Sequence, residues 1–451
     1  MTPRYDVIVI GASVNGLAAA ALLAEAGAEV LLVEQEPMPP EPRGPLFALD
    51  PLLVERLKLT RRGLRFKARD LPVAGLAQGA PPLMLGRNVH SAARALTPLG
   101  EADAKAWAPF RRELFAEGRR LRRWWWHAHG GGKPEDMLGS RKARETFERL
   151  AYTGADAFLA ARFDSEALRA LLLFDAIGGG FSPSEPGSAL TLVWRSAQEM
   201  AGLQGAVALP ACGTLVAALT RAARGAHVRM AAPVAAIRAR DGQASGVVLA
   251  DGSQIEGRMV LSAIPAQATE RLLGDAPQPA AKVGEAQLVF KLSQSPDLPM
   301  PFNFGRAIIA EAAAGFPDAH EAARDGRLPE TLPLECVATD HQLIVTVRPV
   351  PVSPREGWEA LKPLLAARVV RALSPHAPGF ARSITGVSFR LPRSAPRPGL
   401  AQLLAPPASR LKTRLPNLLF CGCDAEPVPS ISGRAGRMAA VLASQVLSGK
   451  A

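Results

Sequence analysis

Tyrosine is nearly absent from this chain, with two residues in 451, and lysine is scarce, with ten among 53 basic residues. Two tyrosines leave little with which to build an aromatic cage for a cationic amine. Ten lysines mean that the net charge of +12 comes almost wholly from arginine. Such a charge suits nucleic acid, anionic lipid or small anionic ligands. The Ala/Arg/Leu/Pro bias runs throughout, however, as in proteins encoded by GC-rich DNA, and no DNA- or RNA-binding motif is present. Nucleic acid is therefore not an expected partner. Cysteine is also sparse: Cys212, Cys336, Cys421 and Cys423 make neither a disulfide framework nor a zinc quartet. Cys421-x-Cys423 lacks the two-residue gap of a redox pair, so packing is its expected role and a reducing compartment, the cytoplasm, the expected location. Apolar runs end well short of the roughly 18–20 residues that a membrane span needs. The N-terminus enters a strand-like run at once, leaving no room for a signal peptide. Seven scattered histidines suggest no metal site, and neither a Ser–His–Asp set nor paired carboxylates are legible.

What is there is an ordinary globular composition, 48% hydrophobic and 21% charged, in a chain long enough for two or three domains. Its organising stretch is the N-terminus. Residues 5–10, Tyr-Asp-Val-Ile-Val-Ile, form a β-branched apolar run that reads as a buried strand. Gly11-Ala-Ser-Val-Asn-Gly16 turns out of it, an Ala/Leu-rich helix runs to Gly27, and Glu29-Val-Leu-Leu-Val33 is a second strand closed by Glu34. With an acid eighteen residues beyond Gly16, this approaches the dinucleotide-binding pattern. Gly11 permits the tight turn, Gly16 lets helix and strand approach, and the helix N-terminus offers N–H groups to a pyrophosphate. Glu34 is placed to accept from ribose hydroxyls and to disfavour a 2′-phosphate. Ser13 stands where the pattern has its second glycine. Its Cβ narrows the approach to a pyrophosphate, while its hydroxyl offers a donor. The competing reading is a strand–helix–strand unit that merely folds.

Further along, residues 101–126 are helical in pattern, with Trp107, Phe110, Leu114, Leu121 and Trp125 near a 3.6 period. Six arginines between Arg111 and Arg123, followed by Trp124, Trp125 and Trp126, resemble an interfacial amphipathic helix and raise a peripheral membrane contact. Burial of the apolar face within the protein is the favoured reading. Helices are expected near 141–162, 165–176 and 189–200, then a β-meander over 228–264 with turns at Asp241-Gly242 and Asp251-Gly252. Strands at 286–292 and 343–352, a helix at 358–373 and a Pro/Arg-rich loop over 390–416 follow. The chain closes with a short strand at 418–420, a turn and a small-residue helix over 432–447. Arg434 and Arg437 on that helix suit an anionic substrate or an exposed surface equally well.

Three stretches in this order carry a resemblance. They are Leu209-Pro-Ala-Cys-Gly-Thr-Leu with Ala232-Pro-Val; Gly246-Val-Val-Leu-Ala-Asp-Gly252 with Val260-Leu-Ser-Ala-Ile-Pro265; and Leu415-Pro-Asn-Leu-Leu-Phe-Cys-Gly-Cys-Asp424 with Ser432-Gly-Arg-Ala-Gly-Arg. Together they resemble the phytoene desaturase-like branch of the flavin-dependent amine oxidase superfamily, and within it the pyridine nucleotide-disulphide oxidoreductase domain-containing protein 2 subgroup. The likeness covers most of the chain. It implies an α/β fold, with a discontinuous Rossmann-like FAD-binding domain of the glutathione reductase type and an inserted α+β substrate domain. The first takes residues 1–75, 205–275 and 395–451, and the second residues 76–204 and 276–394. It further implies an FAD-dependent oxidoreductase that dehydrogenates an apolar, isoprenoid- or polyene-like small molecule. The cofactor would be held by Gly11, Ser13, Asn15, Gly16, Glu34 and Arg43, by Val234 through a backbone contact to adenine, by Ala263 in the loop after the meander, and by Gly422, Asp424 and Gly433 beside the ribityl chain and isoalloxazine. No catalytic residue is singled out. Gly178-Gly-Gly180 follows no strand-like run, so a separate NAD(P) domain is not expected. Arg43-Gly44 replaces the family's paired glycines, and Ala425-Glu-Pro-Val-Pro-Ser430 its glycine-rich loop. With Ser13, these departures predict weaker FAD retention. Their extreme form is the alternative function, a degenerate flavin fold serving as a non-catalytic binding or scaffold partner.

Overall fold

The computed structural model describes residues 3–41, 49–68, 72–126, 134–201, 209–299, 305–339, 341–393 and 399–449. Two seven-stranded sheets organise these residues. The first has the order His227–Arg229, Val30–Val33, Arg4–Ile10, Gln254–Ser262, Gln243–Leu249, Val234–Arg240, and Leu418–Phe420 also pairs with Gln254–Ser262. The N-terminal and C-terminal strands thus share one sheet across the whole chain. Arg4–Ile10 runs parallel to both neighbours, with Val7 opposite Val30 and Met259. Leu418 lies parallel and opposite Val260. Parallel strands covered on both faces need continuous apolar runs, and Val30–Val33 is buried at every position. One face carries the alanine-rich helix Val14–Glu25 and the closing helix Arg434–Leu447, while Ile237, Val247 and Leu249 of the meander pack with Ile8 and Val260 on the other.

The meander turns where the sequence marks them, with Asp241, Gly242 and Gly252 all at positive φ. His227–Arg229, expected as its start, is instead a parallel edge strand beside Val30–Val33. The second sheet has the order Ile384–Arg390, Val283–Leu292, Gln342–Pro351, Leu334–Thr339, Arg306–Ile309, Val73–Leu76, Leu83–Leu85. Val73–Leu76, at the end of the expected 1–75 segment, belongs to this second sheet. The helix Trp358–Leu373 covers one face through Leu365, Val369 and Leu373. The loop expected over 390–416 contains two short helices, Leu400–Leu404 and Pro407–Leu411, the second starting on a proline whose missing N–H is harmless at that position.

The helix Glu101–Trp126 forms as the periodicity requires, but its three terminal indoles are interior, with Trp124, Trp125 and Trp126 at 1%, 1% and 5% exposure. Successive side chains on a helix point about 100° apart, so burying all three needs packing on several sides. Trp125 donates through Nε1 to the Leu403 carbonyl at 2.9 Å, and Trp126 stacks on Trp194 with centroids 5.0 Å apart. On the basic face Arg111 pairs with Glu199, and Arg120 with Glu117. The interfacial reading is corrected: the aromatic end is core, not a membrane face. Among the described residues no helix is long and apolar enough to cross a membrane.

Candidate cofactor and substrate site

Four parallel strands deliver Gly11, Glu34, Ala263 and Gly422 to one edge of the first sheet, the carboxyl edge at which open α/β sheets take ligands. Gly11 has φ +95°, and a Cβ on Gly16 would lie 1.9 Å from the Gly11 carbonyl oxygen. Both glycines therefore do what their places in the sequence imply. Glu34 is buried at the strand end. Its Oε2 accepts from the Ala12 amide at 2.6 Å and its Oε1 from the Glu36 amide at 3.1 Å. Each carboxylate oxygen retains a second lone pair for a ribose hydroxyl. The Ala232 amide donates to the Glu34 carbonyl at 2.8 Å, which brings Val234 to the same edge.

Ser13 is the N-cap of the helix Val14–Glu25. Its Oγ accepts from the Gly16 amide at 3.4 Å and donates to the Ala263 carbonyl at 3.3 Å. The hydroxyl is thus turned onto its own helix and the adjoining loop, a capping role that a glycine could not fill by side chain. Asn15 is buried, and its Oδ1 accepts from the Gly436 amide at 3.4 Å. A Cβ on Gly436 would sit 2.0 Å from the Asn15 carbonyl oxygen, so this glycine sets how closely the last helix approaches the first. Arg43 lies outside the described residues.

At the C-terminal turn the Cys421 amide donates to the Ser262 carbonyl at 2.7 Å, and a Cβ on Gly422 would meet the Ile264 carbonyl oxygen at 3.0 Å. Asp424 accepts from the Ala266 amide at 2.9 Å, at the start of the helix Ala266–Leu272. Burial, followed by the neighbouring Asp424 charge, pushes the Cys423 thiol up to about 12, and burial also pushes Cys421 up. Both shifts disfavour the reactive thiolate. Gly433 opens the last helix at φ +77°.

The two arginines beyond it are neither surface residues nor free substrate ligands. Arg434 is buried, donating to Glu426 at 2.9 Å and lying 4.1 Å from the Trp126 ring. Arg437 donates to the fully buried Asp50 at 2.6 Å. Glu426 also accepts from the Ser432 hydroxyl at 2.7 Å, so the proline-rich loop that replaces a glycine-rich one is tied to the helix start by its own acid.

Where Pro265, Cys423, Asp424 and residues 428–431 face the second sheet, a cavity of about 340 Å³ opens. Trp194, Val283 and Val352 supply apolar wall, and Asp175, Arg306 and Glu335 supply charge. Arg306 is buried and donates through both Nη atoms to Asp175, at 3.0 and 2.6 Å, and through Nε to Glu335 at 2.5 Å. Burial would raise the Asp175 carboxyl, but Arg306, backed by Arg195 and Arg348, holds it well below the usual carboxylate range. This charged wall was not among the residues singled out from the sequence. Its members come from distant segments, and the only local hint is an arginine or glutamate inside the otherwise apolar strands Arg306–Ile309 and Leu334–Thr339.

The carboxyl edge fits a dinucleotide. Gly11 and Gly16 leave no Cβ at the turn, the first turn of the helix Val14–Glu25 carries no acid, and Glu34 presents a carboxylate at the next strand end. Together these define a dinucleotide-binding α/β protein whose second sheet faces the cofactor edge.

Comparison with known proteins carries this further. Residues 74–294 match the flavin containing amine oxidoreductase family and residues 4–47 an FAD binding domain. Pyridine nucleotide-disulfide oxidoreductase domain-containing protein 2 of Mus musculus is 26% identical over 98% of this chain and 93% of its own. Hydroxyneurosporene desaturase of Cereibacter sphaeroides is 29% identical over 61% of this chain and 59% of its own. The structure of wild-type putrescine oxidase superposes with a TM-score of 0.62 at 14% identity, covering 99% and 100% of the two chains. The chain is thus similar to flavin containing amine oxidoreductases along residues 74–294. It is an FAD-dependent oxidoreductase.

Proposed function

We propose that FAD lies along the carboxyl edge of the first sheet and that its substrate, an apolar isoprenoid- or polyene-like molecule, is dehydrogenated in the cavity. The observation that carries this is the cavity's place, where the turn at Cys423 and Asp424 meets the second sheet. On this reading Gly11, Asn15 and Gly16 hold the pyrophosphate, with Ser13 fixing the turn. Glu34 holds the ribose, the Val234 backbone meets adenine, and Ala263, Gly422, Asp424 and Gly433 border the ribityl chain and ring. The cofactor half comprises residues 1–75, 205–275 and 395–451, and the substrate half residues 76–204 and 276–394, with Val73–Leu76 reaching across.

Bound FAD supplies an acceptor for two electrons and a proton. The chain's part is to orient substrate and exclude water. Asp175 and Glu335 are engaged by Arg306, and Asp424 by the Ala266 amide, which suits a reaction driven by positioning more than by protein acid–base groups. Trp194, Val283, Val352 and Ile431 offer an apolar wall, and one relative is by name a desaturase. The free cysteines Cys336, Cys421 and Cys423 support the cytoplasm as the location. The non-catalytic alternative is not favoured, because Ser13 and the proline-rich loop both have structural roles compatible with a formed site.

The test is anaerobic mixing of FAD-loaded protein with a panel of isoprenoids, reading the oxidised flavin band. Bleaching by an isoprenoid is the expected result. A band that dithionite removes but no isoprenoid does would overturn the substrate assignment.

A further inference from the structure

We propose that the substrate ends in a carboxylate, gripped at the cavity wall by Arg348, with Arg195 lining the same cavity. The proposal rests on the reading of this cavity as the substrate chamber. Three guanidiniums, Arg195, Arg306 and Arg348, line the cavity, with the buried Glu335, the partly buried Asp175 and the half-exposed Glu285 set among them. Arg306 takes both oxygens of Asp175 and one of Glu335 in short hydrogen bonds. Arg348 is left with looser partners: Glu285 at 3.5 Å, itself half exposed, and Glu335 at 3.9 Å. Neither is a hydrogen bond of normal length.

An aromatic face and a backbone carbonyl hold Arg348 in place beside these loose ion pairs. Its guanidinium lies 4.4 Å from the Phe174 ring centroid, and Nη1 donates to the Phe174 carbonyl at 3.4 Å. Gly178 stands beside it: a Cβ there would come within 3.0 Å of Nη1, so a larger residue would crowd that side of the fork. Burial, and then the charge of Arg306, lower the hold of Arg195 on its proton, against the opposing pull of Asp175, Glu199 and Glu335. Arg390 and Arg393 also line the cavity, which gives it five arginines against the four carboxylates Asp175, Glu285, Glu335 and Asp424. An entering anion relieves this surplus, and an entering amine adds to it.

The fork of an arginine matches a planar carboxylate in two parallel hydrogen bonds, and such charge-assisted bonds are the strong ones. Trp194, Val283 and Val352 on the same cavity then receive the apolar body. The structure therefore assigns an amphipathic acid, an apolar chain with one carboxylate, in place of a pure hydrocarbon.

Calorimetry on the full-length protein with decanoate, decanol, decylamine and decyl phosphate tests this directly. Decanoate is expected to bind at least tenfold more tightly than decanol, with decylamine weakest. Arg348→Met is expected to cost at least tenfold for decanoate and to leave decanol unchanged. Equal binding of decanoate and decanol by the wild type overturns the proposal without recourse to any variant, as does absence of decanoate binding or full retention of it in Arg348→Met. Tighter binding of decyl phosphate overturns the choice of carboxylate. Because the readout is heat and not flavin colour, a protein that binds FAD but shows no preference for the acid refutes this subsite alone. A protein that takes up no FAD refutes the parent reading.

Discussion

At the scale of single residues, the cofactor edge depends on groups already held by the fold. Glu34 is fixed by the amides of Ala12 and Glu36 before any ligand arrives, so its carboxylate is preorganised. Glu34→Gln keeps the shape and removes the charge. Hydrogen bonds to a charged group are worth about 1.5–3 kcal/mol, so FAD affinity should fall by roughly ten- to a hundredfold, measured by fluorescence titration. Unchanged affinity would remove Glu34 from the ribose site. Asp175 gives a pH prediction. Arg306 holds its folded-state carboxyl well below the ordinary value, so its contribution to stability is present above the unfolded value of about 3.9 and is lost as pH falls through that value toward the folded one. Urea unfolding between about pH 3 and 6 should show this loss in the wild type and a flatter profile in Asp175→Asn. The variant itself should be less stable by about 3–5 kcal/mol, since it strips a partner from the buried Arg306. A variant as acid-sensitive as the wild type would contradict the assignment.

At the scale of elements, what was legible in the sequence followed from local chemistry. The helices Glu101–Trp126 and Trp358–Leu373 and the strand Leu418–Phe420 announce themselves by periodicity or by short buried runs between turns. The strands Arg306–Ile309 and Leu334–Thr339 do not. Each is short and carries a charged residue, and that charge is tolerated only because Arg306 and Glu335 meet in the folded sheet. The same limit hid the partners of Arg434 and Arg437: Glu426 meets Arg434 where the preceding loop folds back on the helix start, and Asp50, the cap of the helix Pro51–Arg56, meets Arg437 only in the folded chain. Three indoles in a row gave a membrane-like signal, and only tertiary packing on Trp194 and Leu403 shows that they are core. The docking of the last helix is itself testable. Gly436→Ala places a methyl 2.0 Å from the Asn15 carbonyl oxygen, where backbone must move. Overpacking of this kind costs about 1–3 kcal/mol, and thermal melting should fall accordingly, with FAD affinity falling alongside it because Asn15 sits in the cofactor turn. Full stability in Gly436→Ala would show that the two helices are not held so closely.

At the scale of the whole molecule, the first and last elements of the chain close one parallel sheet, and the carboxyl edge that they share faces a charged cavity backed by a second sheet. The arrangement explains why the glycine turn, Glu34 and the Cys421–Asp424 turn were recognisable together although they span nearly the full chain. It also explains why the cavity wall was not: that wall exists only where the second sheet meets the first. Titration of FAD into the purified full-length protein, followed by flavin fluorescence and by the shift in melting temperature, is the most direct measurement. Saturable binding at micromolar FAD, near −8 kcal/mol, accompanied by a rise in melting temperature, is the expected result. Absence of binding at about 1 mM FAD, weaker than about −4 kcal/mol, would contradict it.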